Sequence, residues 1–100
     1  YQSESDRLKN EGNSRIAEAK DYAKGYLDMK GEEISNEDIA TIYPIFSILE
    51  DYDNLINVLN ISISRDNTNI EYLEVLRGAY MKKKDYENAE RIYQMILEIE

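Results

Sequence analysis

Two groups of carboxylates are the first residues in this chain whose types and spacing could do chemistry. Asp51 and Asp53 stand two apart, and Asp66 opens a polar stretch that runs to Glu71. A calcium loop needs oxygen donors at alternating positions, a Gly at the sixth and a Glu at the twelfth. With Asp51 as the first position, the fifth is Leu55 and the sixth Ile56, so the pattern fails. The stretch from Asp66 to Glu71 also lacks the Gly. Neither group predicts a metal site.

Catalysis has few residue types to draw on. The chain has no His and no Cys, which removes the commonest general base, the commonest metal ligand and thiol chemistry. Carboxylates, Lys, Ser and Tyr remain. A working carboxylate pair needs a pocket that raises one pKa, yet most acids here fall at turns or on polar helix faces. No Gly-rich phosphate loop is present. The sequence therefore predicts no enzyme, no cofactor and no metal. Asn60-Ile61-Ser62 fits a glycosylation sequon but falls inside a predicted helix, where it reads as an ordinary helix face.

The net charge of −9 is unevenly spread. Residues 1–30 carry six acids and six bases, residues 31–60 seven acids and no base, and residues 61–100 eight acids and six bases. An acidic middle repels phosphate backbones, so nucleic acid is not expected as a partner. It either solvates the chain or favours a protein partner with basic segments. No apolar run approaches the roughly 18 residues that span a bilayer, so this segment is not expected to insert directly into a membrane. No signal peptide is visible. Because the chain opens on Tyr1 rather than Met, it reads as a processed product or part of something longer. The default location is cytoplasmic, or extracytoplasmic if a signal or anchor has been removed.

What must position these residues is visible in a repeated turn. Asp51, Tyr52 and Asn54 recur as Asp85, Tyr86 and Asn88, 34 residues on. Ile39 pairs with Leu73 at that offset, Ile42 with Leu76, Phe46 with Tyr80, Leu55 with Ala89, Val58 with Ile92 and Leu59 with Tyr93. Leu73, Leu76 and Tyr80 lie at i, i+3 and i+7, as do Tyr86, Ala89 and Tyr93, and each set marks one face of a helix. The polar stretch from Lys82 to Asp85 reads as the turn between them. Each Asp suits a helix start, by capping or by its charge near the positive end. A hairpin of this length cannot bury its own apolar face, whereas stacked copies bury a continuous core. Few Gly, one Pro and many Leu, Ile, Glu and Lys also favour helix.

The arrangement resembles the tetratricopeptide repeat family, a 34-residue helix–turn–helix unit. Leu76, Ala79, Tyr80, Asp85, Tyr86, Ala89, Tyr93, Ile96 and Ile99 each stand where that family's consensus has a like residue. Over 36–69 the likeness is looser: Leu55 replaces a small residue, Ser62 a small or apolar one, and Asn67 stands where the family often has Pro. The resemblance implies an all-α fold, a right-handed superhelix of stacked antiparallel hairpins with five to six helices. It divides the single domain 1–100 into repeats at 36–69 and 70–100. Residues 4–35 form either a degenerate first repeat, with Tyr22, Gly25 and Met29 as its apolar face, or one long helix from about Ser5 to Lys30. Pro44 conflicts locally, because a Pro in a helix interior costs about 3 kcal/mol. It predicts a kink, or a break near Tyr43.

For function, the resemblance implies a scaffold that holds a partner peptide or helix in a concave groove lined by the first helices. The matching positions are Glu37, Ala40, Thr41, Pro44, Ser47 and Ile48, then Glu71, Glu74, Val75, Gly78, Met81 and Lys82, with Lys9, Asn13, Ile16 and Ala17 in the first block. The carboxylate clamp of some co-chaperones of this family is not expected. Lys9 and Asn13 fit it, but Thr41, Glu71 and Val75 do not, and Glu71 would repel a carboxylate where a cation is required. The alternative expectation starts from the final helix, whose residues Ile92, Met95, Ile96 and Ile99 meet no following repeat in this sequence: either the native chain continues past Glu100, or this face pairs with another copy as a homo-oligomer.

Overall fold

The computed structural model describes residues 17–99, and the statements below concern those residues. They are all-α, with no strand among them. Residues 17–30 are helical (α1) and lead through a 3-10 turn at Gly31–Glu33 into α2, Asn36–Ile48. Then follow α3, Tyr52–Arg65, α4, Ile70–Lys82, and α5, Tyr86–Ile99. From α2 onward each helix packs on the next. The chain reverses at every connection. Arg65, at the end of α3, donates from Nη1 to Asn36 Oδ1 at the start of α2 (2.9 Å) and from Nη2 to the Glu32 carbonyl (2.6 Å). Asn60 Nδ2 in α3 donates to the Tyr80 hydroxyl near the end of α4 (3.1 Å).

The 34-residue offset of the sequence is carried into the structure. α2 and α4 each have 13 residues, and α3 and α5 each have 14. The turn between α2 and α3 matches the turn between α4 and α5 bond for bond. Glu50 N–H donates to the Ser47 carbonyl and Asp51 N–H to Phe46, while Lys84 N–H donates to Met81 and Asp85 N–H to Tyr80. This is the pair of bonds that closes a helix through a left-handed residue, and Glu50 and Lys84 have φ of 58° and 61°. The next residue opens the following helix. Asp51 Oδ1 accepts from Asn54 N–H (3.5 Å) and Asp51 Oδ2 from Asn54 Nδ2 (2.8 Å). Asp85 does the same for Asn88, at 3.3 and 2.8 Å. Asp thus satisfies a free N–H of the first turn and sets its charge against the positive helix end. Ser35 and Asn69, also 34 apart, cap α2 and α4.

The core follows the same offset. Ile39, Ile42 and Phe46 of α2 are buried, and so are Leu73, Leu76 and Tyr80 of α4. Leu55 and Val58 of α3 are buried, and so are Ala89 and Ile92 of α5. Each fully buried aliphatic or aromatic side chain stabilises the fold by roughly 1.5–3 kcal/mol. Tyr80, in the place of Phe46, keeps its hydroxyl bonded to Asn60, so its polar atom is not orphaned.

Three expectations are refined. First, of the kink or break expected at Pro44, the break is absent, since α2 runs through Pro44. Ala40, whose carbonyl loses its partner, is exposed, so water can replace the missing bond. Second, Asp21 and Tyr22 lie inside α1 rather than at a turn. The buried residues of α1 are Ala23 and Leu27, whereas Tyr22 and Met29 are 50% and 70% exposed. Gly31, at φ +53°, ends the helix nine residues later. The "RLKNEGN" stretch and Ile16 lie outside the described residues. Third, Tyr86 and Tyr93 do not join the core. They are 59% and 42% exposed, while Tyr52 is half-buried and Leu59, at the position of Tyr93, is fully buried. The reason is neighbours: α3 packs on both α2 and α4, whereas among the described residues α5 packs mainly on α4.

Candidate functional site

At 100° per residue, Glu37, Ala40, Thr41, Pro44, Ser47 and Ile48 fall on the side of α2 opposite its buried stripe. Glu71, Glu74, Val75, Gly78, Met81 and Lys82 occupy the same side of α4. Pro44 and Val75 are half-buried and the other ten are exposed, Ile48 at 80%. Ala17 of α1 is also exposed. Lys9, Asn13 and Ile16 lie outside the described residues. A Cβ on Gly78 would meet nothing within 4 Å, so its surface is open.

α2 and α4 meet beside these stripes. The Tyr43 and Tyr72 rings pack edge to face with centroids 4.9 Å apart, and the Tyr43 hydroxyl donates to Glu71 Oε1 at 3.4 Å. Burial first, then the negative charge of Glu71, pushes the Tyr43 hydroxyl above the ordinary tyrosine range, and both act on Tyr72 in the same order. Both tyrosines stay neutral at physiological pH, and both rings offer a π-face next to acids. The twelve positions carry three Glu and one Lys, so the surface suits a cation-bearing partner. Sequence reading left Tyr43 and Tyr72 unassigned, because neither falls on a buried stripe or on the lining positions.

Asp51, Asp53 and Asp66 have structural tasks. Asp51 caps α3, Asp53 pairs with Lys83 across α3 and α4, and Asp66 accepts from the Thr68 amide and hydroxyl. Those two bonds hold the Asp66 carboxyl below the ordinary range. Among the described residues no three acids gather around a point where an ion could sit. Asn60 of the sequon is half-buried and holds Tyr80, in the middle of α3.

The predicted self-association residues are placed differently from expectation. Ile92 and Ile96 are buried against the core, with Met95 half-buried beside them, and only Ile99 is exposed, at 37%. They face α4, not an outside partner, because they fall on the same helical stripe as Ala89. The uncovered side of α5 carries Tyr86, Glu90, Tyr93 and Leu97 instead. Next to it, Met81 is 44% exposed and the Arg77 guanidinium lies 4.7 Å from the Tyr93 ring centroid. Arg77, Met81, Tyr86, Glu90 and Tyr93 line a cavity of about 280 Å³. The repeat offset could have found this face, since its residues stand 34 after Tyr52, Ile56, Leu59 and Ile63. Comparison with known protein families, with curated proteins and with solved structures gives no significant match.

Proposed function

We propose that the chain is a noncatalytic protein-interaction module of the tetratricopeptide-repeat type. In this reading its hairpins continue a right-handed superhelix, and the exposed side of α2 and α4 receives a partner segment. The observation that carries it is the duplicated hairpin. Two units repeat helix lengths, caps and turn bonds at an interval of 34 residues, and their first helices turn open stripes outward. Stacked units of this kind create extended binding surfaces. The partner is a peptide or helix with basic residues, taken by Glu37, Glu71 and Glu74, with Ile48 and Met81 as apolar contacts. Its cations reach the Tyr43 and Tyr72 rings.

Selection from a displayed peptide library tests this. Basic sequences are expected to be enriched, and amide shift changes on binding are expected to map to α2 and α4. Ala40→Arg and Gly78→Arg project a cation from open positions and should abolish binding while the helical signal stays unchanged. Selected peptides that bind these variants as well as the parent would refute the proposal.

A further inference from the structure

We propose that the uncovered side of α5, with the end of α4 beside it, is a homodimer interface in which Arg77 of each copy pairs with Glu90 of the other across a two-fold axis. This interface lies on a different face from the α2–α4 binding surface and shares Met81 with it.

The internal repeat supplies the comparison. Tyr52, Ile56, Leu59 and Ile63 on α3 pack against the core, and Leu59 is wholly buried. The same positions on α5 hold Tyr86, Glu90, Tyr93 and Leu97. Three of the four remain large and apolar, and all three are exposed among the described residues. Tyr, Met and Arg are also the residues that enrich protein interfaces. The area is sufficient. A tyrosine offers about 150–250 Å², so Tyr86 and Tyr93 at their observed exposures contribute about 200 Å². Met81 and Leu97 bring the apolar area to roughly 370 Å². At the ~60% apolar content of such surfaces this makes about 600 Å² per copy, the lower end of the range for specific interfaces.

Charge selects a second copy as the occupant. The cavity is lined by one cation, Arg77, and one anion, Glu90. A two-fold axis through the midpoint between them lays each Arg77 over the other copy's Glu90, so the patch is complementary to itself. Glu90 stands where α3 has Ile56, and a purely apolar cover would leave its carboxylate desolvated and unpaired. Arg77 is already held at the rim by its contact with the Tyr93 ring. The patch is neutral although the chain carries −9, so the chains repel at long range but not at this surface.

Sedimentation equilibrium of the 100-residue chain from about 1 µM to 1 mM tests it, a range in which association of about −4 to −8 kcal/mol is readable. A monomer–dimer equilibrium is expected. Glu90→Arg should weaken it about tenfold or more. That substitution takes the net charge from −9 to −7, by removing one negative charge and adding one positive, and so eases any nonspecific association. Arg77→Glu should weaken it likewise, and R77E/E90R together should restore it. An equimolar mixture of the two single variants should form a heterodimer. A monomer throughout would overturn the proposal. So would a dimer insensitive to the single changes, or one that neither the double change nor the mixture restores while circular dichroism shows intact helix.

Discussion

Replacing Glu50 or Lys84 with Gly should stabilise this chain, while replacing the next residue, Asp51 or Asp85, with Ala should destabilise it. Glu50 and Lys84 sit at φ of 58° and 61°, where an L side chain costs roughly 1–2 kcal/mol. Gly removes that cost but brings about 0.5–1 kcal/mol of extra unfolded-state entropy, which leaves a gain of roughly 0.5–1 kcal/mol. Both side chains are exposed, so little packing is lost. The adjacent Asp accepts two bonds from Asn54 or Asn88 at the start of its helix. Loss of such a cap costs about 1 kcal/mol, and loss of the charge at the positive helix end a further ~0.3 kcal/mol or more. Asp51→Ala and Asp85→Ala should therefore each cost about 1–1.5 kcal/mol, and nearly double that together, since the two turns share no partner. In thermal unfolding 1 kcal/mol corresponds to about 4–8 °C at this size. Urea titrations followed by circular dichroism resolve both signs, and the duplicated turn supplies an internal control. If either Gly variant were destabilised, or either Ala variant matched the parent, the assignment of a left-handed exit followed by an Asp cap would be wrong at that turn.

Leu76→Ala should cost about 2–5 kcal/mol, as the side chain is fully buried, and a urea midpoint far below that of the parent would show it. Asp53→Asn should change stability by less than about 0.5 kcal/mol, because the Lys83 pair lies on the surface with side chains 42% and 78% exposed. The same urea series measures it. The pH dependence runs toward alkali. Tyr43 and Tyr72 have raised pKa values when folded, so their contribution is complete below the unfolded tyrosine value and is lost as pH rises through the folded one. An absorbance titration should show late-ionising tyrosines, and Tyr43→Phe should remove one of them without changing the helical signal at neutral pH.

The hairpins of α2 to α5 were legible because caps, turns and core residues are all written at one interval. The two DY-x-N segments name the N-caps, and Ile39, Ile42 and Phe46 predict Leu73, Leu76 and Tyr80 by chemistry alone. The residues that close the turns were not legible, since Glu50 and Lys84 carry no Gly signature and their φ is imposed by the bonds around them. The DY at Asp21 and Tyr22 read as a turn because a local motif looks the same inside a helix as at its start. Ala23 and Leu27, four apart, were the better sign of the buried side.

The sequence by itself determined the helical class, the 34-residue interval and the types of residue available for chemistry, because periodicity and composition are properties of the chain. The tertiary structure decided which apolar stripe of α5 is covered. Ile92 and Ile96 lie inside and Tyr86, Tyr93 and Leu97 outside, although both stripes carry large apolar side chains. Burial is a relation between helices, and α5 has α4 on one side only. The tertiary structure also decided that Tyr43 meets Tyr72 and Glu71, 28 or more residues away, a contact made because α2 and α4 both pack on α3 and carried by no local pattern.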